Sequence, residues 1–187
     1  MNISRIPVVL GSALLASCVS ITVGSDFDPG TDFTKYTTFA WETVEQTTTG
    51  DPRLDDNPFF NSRVRSAVER QLSLRGLDPA PEESADLMLH YHMFVEHRER
   101  INVDAIDREL DEARGYSIYN RNVDVEVYVN EYDEGTLMID LADAADKHIM
   151  WRGWAKLVVT DVIDDRERLD SRIGQAVEKI IALYPAG

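Results

Sequence analysis

Ala85-Asp86-Leu87-Met88-Leu89-His90-Tyr91-His92-Met93-Phe94-Val95 is the stretch that decides the fold. Successive side chains of a strand point to opposite faces. Leu87, Leu89, Tyr91 and Met93 therefore share one face, and Met88, His90, His92 and Phe94 the other. Both faces are largely apolar, so this strand belongs inside a sheet and not at its edge.

Toward the N-terminus, Asn57 suits a helix cap and Pro58 the first helical position. Phe60, Val64, Ala67, Val68 and Leu72 follow as an apolar stripe one helix face wide. Gly76 stops the helix, and Leu77 can fold back onto its last turn. Further out, residues 45–56 are polar and read as an exposed loop, Tyr36–Trp41 as a strand, Pro29-Gly30 as a turn, and Ser20–Asp28 as a first strand.

Toward the C-terminus the chain turns strongly charged. Val103, Ile106, Leu110 and Ala113 recur at helical spacing between a cap at Asn102 and a stop at Gly115, which predicts an exposed amphipathic excursion over residues 96–114. Val123, Val125, Val127 and Val129 alternate with Asp124, Glu126 and Tyr128, the pattern of a half-buried strand with a polar outer face. Gly135 marks a turn, and Thr136–Leu141 forms another strand. After a loop at 143–147, His148–Thr160 returns antiparallel, with Ile149, Trp151, Gly153, Ala155, Leu157 and Val159 on one face. Asp164 or Asp165 caps a last helix whose stripe is Leu169, Ile173, Ala176, Val177, Ile180 and Tyr184, ended by Pro185. Two one-faced helices need a surface, and five or six strands supply it. The expected class is α+β, a two-layer sandwich with a mainly antiparallel sheet and both main helices on one face.

The chain has 187 residues and a net charge of -15, with 19 basic against 34 acidic side chains. That balance disfavours nucleic acid, whose phosphates it would repel. Four histidines and one cysteine exclude a disulfide framework and a multi-thiolate metal site.

Residues 1–17 read as a leader. Met1–Arg5 carries a positive charge, and the apolar run Ile6–Leu15 is far short of the ~20 residues of a membrane-spanning helix. It ends in Leu15-Ala16-Ser17-Cys18, which resembles the bacterial lipobox. That resemblance implies cleavage before Cys18 and a lipid anchor on Cys18, palmitate included. Val19 follows the cysteine in place of an aspartate. By resemblance to enterobacterial sorting, this favours the outer membrane and its periplasmic face. The working chain is then a single domain, residues 18–187, tethered to a membrane.

The domain also resembles a family of bacterial lipoproteins catalogued as DUF4136, a domain of unknown function. The matching features are Asp26-Phe27-Asp28, Phe33–Trp41 ending in Thr38-Phe39-Ala40-Trp41, the helix Asn57–Gly76, and Ser84-Ala85-Asp86-Leu87-Met88-Leu89. Gly135-Thr136-Leu137-Met138-Ile139-Asp140, Trp151-Arg152-Gly153 and the closing Tyr184-Pro185 complete them. The resemblance implies a cell-envelope location and transfers no catalytic residue and no cofactor.

His90 and His92 are the candidate metal ligands, since two imidazoles on one strand face can share an ion with a neighbouring carboxylate. Asp140, Asp143 and Asp146 surround a hairpin turn but lack the calcium-loop spacing. Trp151 reads as core, and Trp154, beside Met150 and Arg152, as a surface anchor. Asp124, Glu126 and Tyr128 form a candidate contact surface if their strand lies at a sheet edge. The leading expectation is a non-enzymatic binding or scaffold module with an envelope protein partner. Its rivals are a metal-dependent envelope hydrolase using His90 and His92, and a carrier of small apolar ligands.

Overall fold

The computed structural model describes residues 20–43, 48–106 and 124–185. The leader, Cys18, and residues 107–114 of the charged stretch lie outside the described residues. The elements are strands β1 (Thr22–Phe27), β2 (Thr38–Trp41), β3 (Asp78–Pro79), β4 (Leu87–Ile106), β5 (Asp124–Asp143) and β6 (Ile149–Val158), with helices α1 (Pro52–Asp55), α2 (Phe60–Ser73) and α3 (Arg166–Ile181). The strands form one six-stranded sheet in the order β1-β6-β5-β4-β2-β3. β4, β5, β6 and β1 pair antiparallel, whereas β2 runs parallel to both β4 and β3.

Both long helices cover the same sheet face. The stripes Phe60, Val64, Ala67, Val68 and Leu72 of α2 and Leu169, Ile173, Ala176, Val177 and Ile180 of α3 are buried as their spacing predicts. They close over Phe39, Leu87, Leu89, Ile139, Leu141 and Trp151, none of which reaches solvent. The result is the expected α+β sandwich, with β4 inside the sheet. Asp165 caps α3, accepting from the backbone N–H groups of Glu167 and Arg168. Asn57 lies too early to cap α2: its Oδ1 accepts from the N–H of Phe59, and helix proper begins at Phe60. Gly76 takes φ +81°, where a side chain would be strained, and lets the Leu77 N–H return to the Leu72 carbonyl.

The structure corrects four local readings. Residues 96–106 are not helix but the outer half of β4, each paired to a residue of β5 from Glu134 out to Asp124. The helical recurrence of Val103 and Ile106 is outweighed by twenty consecutive cross-strand pairs. Gly135 is no turn but mid-strand in β5, where a Cβ would lie 3.0 Å from Val159 Cγ1 and 3.1 Å from Met93 Cε. Its missing side chain permits close approach of its neighbours. Ile149 does not share the Trp151 face, because a bulge opposite Leu141/Ala142 inserts Met150. Met150 turns into the core, away from Trp154, and Ile149 is left exposed. Finally, the polar stretch before α2 is anchored rather than free, with Thr49, Asp51 and Leu54 buried.

Two features of this fold leave surface open. The sheet face opposite the helices carries no second layer among the described residues. And β4 and β5 extend together well past the ends of β2 and β6, forming an arm of residues 97–106 and 124–133. Among the described residues no helix is long and apolar enough to cross a membrane.

Candidate functional site

The uncovered sheet face is built from the even-numbered side of β4 and its register partners. His90 and His92 stand two residues apart with ring centroids 4.3 Å apart, and His92 stacks on Phe94 at 6.1 Å with the planes 8° from parallel. The register sets Asp140 of β5 opposite His90 and Arg152 of β6 opposite Asp140. Arg152 then grips Asp140 with a fork, Nε to Oδ1 and a terminal nitrogen to Oδ2, each at 2.6 Å. The hydrogen bonds to Asp140 raise the arginine further above its ordinary pKa.

Two carboxylates approach the histidines. Asp140 Oδ2 lies 4.0 Å from His92 Nε2, already engaged by Arg152, and Glu42 Oε2 lies 3.8 Å from His90 Nδ1. Among the described residues no set of three or more His, Cys, Asp or Glu groups converges on a point that could hold a metal. His90 Nε2 is buried with no hydrogen-bond partner. Burial, and next the neighbouring His90, push His92 below the ordinary imidazole pKa, which favours its neutral form. A cavity of about 320 Å³ lies over Met88, His90, His92, Asp140, Ile149 and Arg152. A second recess, of about 260 Å³, opens at the sheet margin between Trp41, Phe60, Tyr91, Arg65, Asp55 and Glu42.

Trp151 is wholly buried, as its strand companions imply. Trp154 faces the uncovered side, half-buried, its ring laid over Gly24 of β1 where any side chain would collide with it. The three aspartates of the β5–β6 turn do not converge. Asp143 accepts from the Tyr36 hydroxyl at 2.8 Å and from the Ala145 N–H, Asp146 accepts from the His148 N–H, and Asp140 belongs to Arg152.

Asp124, Glu126 and Tyr128 lie on the outer part of β5, beyond its last pair with β6 at Glu134. Among the described residues this part of β5 pairs with β4 alone, so it lies at an edge. The apolar and aromatic side chains Ile101, Val127, Tyr128 and Val129 on this part of the ribbon are from 49 to 64% exposed. Where the arm leaves the body, Arg53 binds Asp51, Asp133 and Asp164 at 2.6, 3.0 and 3.3 Å, and His97 Nδ1 lies 3.1 Å from Asp133 Oδ1. His97, then Arg53, hold Asp133 below the usual carboxylate range, and the Asp133 hydrogen bond lifts His97 above the usual imidazole value. Local patterning does not reveal this clasp, because Arg53 meets partners 80 and 111 residues away. The arm itself did leave a signal: Arg98 and Arg100 alternate with Glu99 and Ile101, a period of two inside the charged stretch.

A family model described as Domain of unknown function (DUF4136) matches residues 23–186. No curated protein matches the chain. Among solved structures, the chain is similar to one described as a PDZ domain protein from Parabacteroides distasonis, at 17% identity and a TM-score of 0.53. That likeness covers 89% of this chain but only 36% of the other, so the chain spans about a third of that protein. The PelC dodecamer from Paraburkholderia phytofirmans matches at 14% identity and a TM-score of 0.48, over 87% of this chain and 96% of that one. At such identities the first likeness is one of fold alone.

Proposed function

The chain belongs to the DUF4136 family, and on that premise we propose that it is a non-enzymatic binding module of the cell envelope, tethered by lipid on Cys18 to the outer membrane and facing the periplasm. The observation that carries the binding role is the β4–β5 arm, which presents Ile101, Val127, Tyr128 and Val129 to solvent away from the core. Exposed apolar side chains clustered on a projecting ribbon are what an interaction surface needs. The tether rests on the leader and on Leu15-Ala16-Ser17-Cys18. A long arm on a short leash would reach partners while the acidic body stands off an anionic lipid face.

Two measurements test this reading. Metabolic palmitate labelling should mark the wild-type chain and not Cys18→Ser; an unlabelled wild type removes the anchor. A photo-reactive side chain at Val127, activated in intact envelopes, should yield a defined covalent adduct, and its absence removes the binding role from the arm.

A second reading has its own observation. The His90–His92 pair, with an unpartnered buried Nε2 on His90, would suit a metal-dependent hydrolase. Elemental analysis of protein purified without chelator decides it: stoichiometric zinc lost in His90→Ala supports the metal site, and substoichiometric zinc ends it.

A further inference from the structure

The N-terminal end of the sheet's first strand and the arm lie at the same end of the body. Thr22, the first residue of β1, pairs with Lys156, Lys156 with Thr136, and Thr136 with Phe94, which makes one row across the sheet. From that row β1 runs away from the arm, to Phe27 opposite Trp151, so the chain enters β1 from the arm's side. The arm starts just beyond Glu134–Val158, the last row that β6 shares with β5. Cys18 precedes Thr22 by four residues. A stretch of that length spans at most about 14 Å. β1 lies two strand spacings from β5, about 10 Å. The arm's ten residues per strand run roughly 33 Å. A bilayer that holds a lipid on Cys18 is therefore within the arm's reach.

The two faces of the arm differ in polarity. Outward from the body, one carries Glu99 opposite Glu131, then Ile101 opposite Val129, Val103 opposite Val127 and Ala105 opposite Val125. Its last three rows are aliphatic, and Ile101, Val127 and Val129 are 64, 60 and 54% exposed. On the other face Arg98 stands opposite Tyr132, Arg100 opposite Asn130, Asn102 opposite Tyr128, and Asp104 opposite Glu126. Acidic residues occur on both faces, so charge draws neither toward an anionic surface. What the first face has and the second lacks is an unbroken aliphatic row.

We infer that the arm lies in the interface of the bilayer that anchors Cys18, with Ile101, Val127 and Val129 turned into the lipid and the Arg98–Asp104 face turned to water. The inference rests on the lipid anchor read at Cys18 and makes lipid the arm's partner. Among the described residues each strand of the arm pairs only with the other, so both outer edges carry unpaired N–H and C=O groups. Such edges are not tolerated in the hydrocarbon core, which excludes a spanning arrangement and leaves a shallow one. The Glu99–Glu131 pair sets the inner limit, because two carboxylates stay with the headgroups and water. The aliphatic rows beyond it sink about 5–10 Å, as the apolar face of an interfacial helix does.

The test uses the full-length acylated chain in phosphatidylcholine vesicles, with a fluorophore on Val127→Cys and, as a control, on Ala145→Cys. Ala145 is exposed in the turn at the opposite end of β5. Nitroxide-bearing lipids should quench the Val127 label and aqueous iodide should not, whereas the Ala145 label should behave the other way round. Ile101→Thr with Val129→Thr keeps β-branched residues in both strands and should lose most of the lipid quenching at Val127. An unchanged thermal transition in that variant excludes a folding defect, since neither side chain belongs to the core. A Val127 label as open to iodide as the Ala145 label, or lipid quenching that survives the double substitution, would overturn the inference. Palmitate on Cys18 together with an iodide-accessible Val127 label leaves the anchor standing and ends the lipid contact. A chain that takes no palmitate ends both. In intact envelopes the photo-reactive side chain at Val127 should couple to phospholipid; coupling to a protein instead keeps the binding module and overturns this inference.

Discussion

His92 and His97 lie five positions apart on one strand and should titrate in opposite directions. His92 is pushed down by burial and by its neighbour His90, while His97 is lifted by its bond to Asp133. Proton-coupled chemical shifts should place His92 below the ordinary value of 6.5 and His97 above it. Asp133→Asn should bring His97 back toward that value; equal titration of both rings would contradict the clasp. His97, raised in the folded state, stabilises the arm's root below the ordinary imidazole pKa and loses that contribution as pH rises through its folded value. Asp133, lowered in the folded state, contributes above the usual carboxylate value of 3.8 and loses its share as pH falls. Protection of the Val95 and Val159 amides, which close the arm's root onto Thr49 and Asp133, should therefore be greatest between about pH 4 and 6.5. A second test at this scale concerns Gly153. A Cβ there would lie 2.5 Å from Trp151 and 2.6 Å from Ile180, both fully buried, so Gly153→Ala should cost about 1–3 kcal/mol in denaturant unfolding. Gly24→Ala meets only the half-exposed Trp154, which can swing aside, and should cost less.

The helices carried their own signals. Both stripes were readable as spacing because a helix buries one face and local periodicity records it. The caps show the limit of that reading. Asp165 receives two N–H groups of α3, and Asp165→Ala should cost about 1 kcal/mol of stability by thermal melting. Asn57 holds only the turn ahead of α2, so Asn57→Ala should cost less than that; the reverse order would mean that α2 begins earlier than Phe60. The strands were harder. β4 and β5 each looked like separate pieces, because Gly135 resembled a turn and Val103 with Ile106 resembled a helix face. What joins the pieces is twenty cross-strand pairs, and no single strand carries that information. The bulge at Met150 is similar, since one inserted residue is defined only by its partner strand.

At the scale of the whole molecule, body and arm are separable. Among the described residues, none of the buried core lies between Val95 and Leu137. Replacing residues 98–132 by a short turn should therefore keep a single cooperative thermal transition while removing the Val127 adduct. Loss of cooperative unfolding would show that the arm is part of the core. The sequence by itself determined the helix faces, the central position of β4, the burial of Trp151 and the family, because each is written in local periodicity or in motifs along the chain. Only the tertiary structure decided that Asp140 answers to Arg152, that Arg53 clasps the arm's root, and that one sheet face and a long ribbon are left open. Those depend on register between distant strands, where side chains 12 to 111 residues apart become neighbours. Sequence spacing along one strand cannot specify which residue of another will face it.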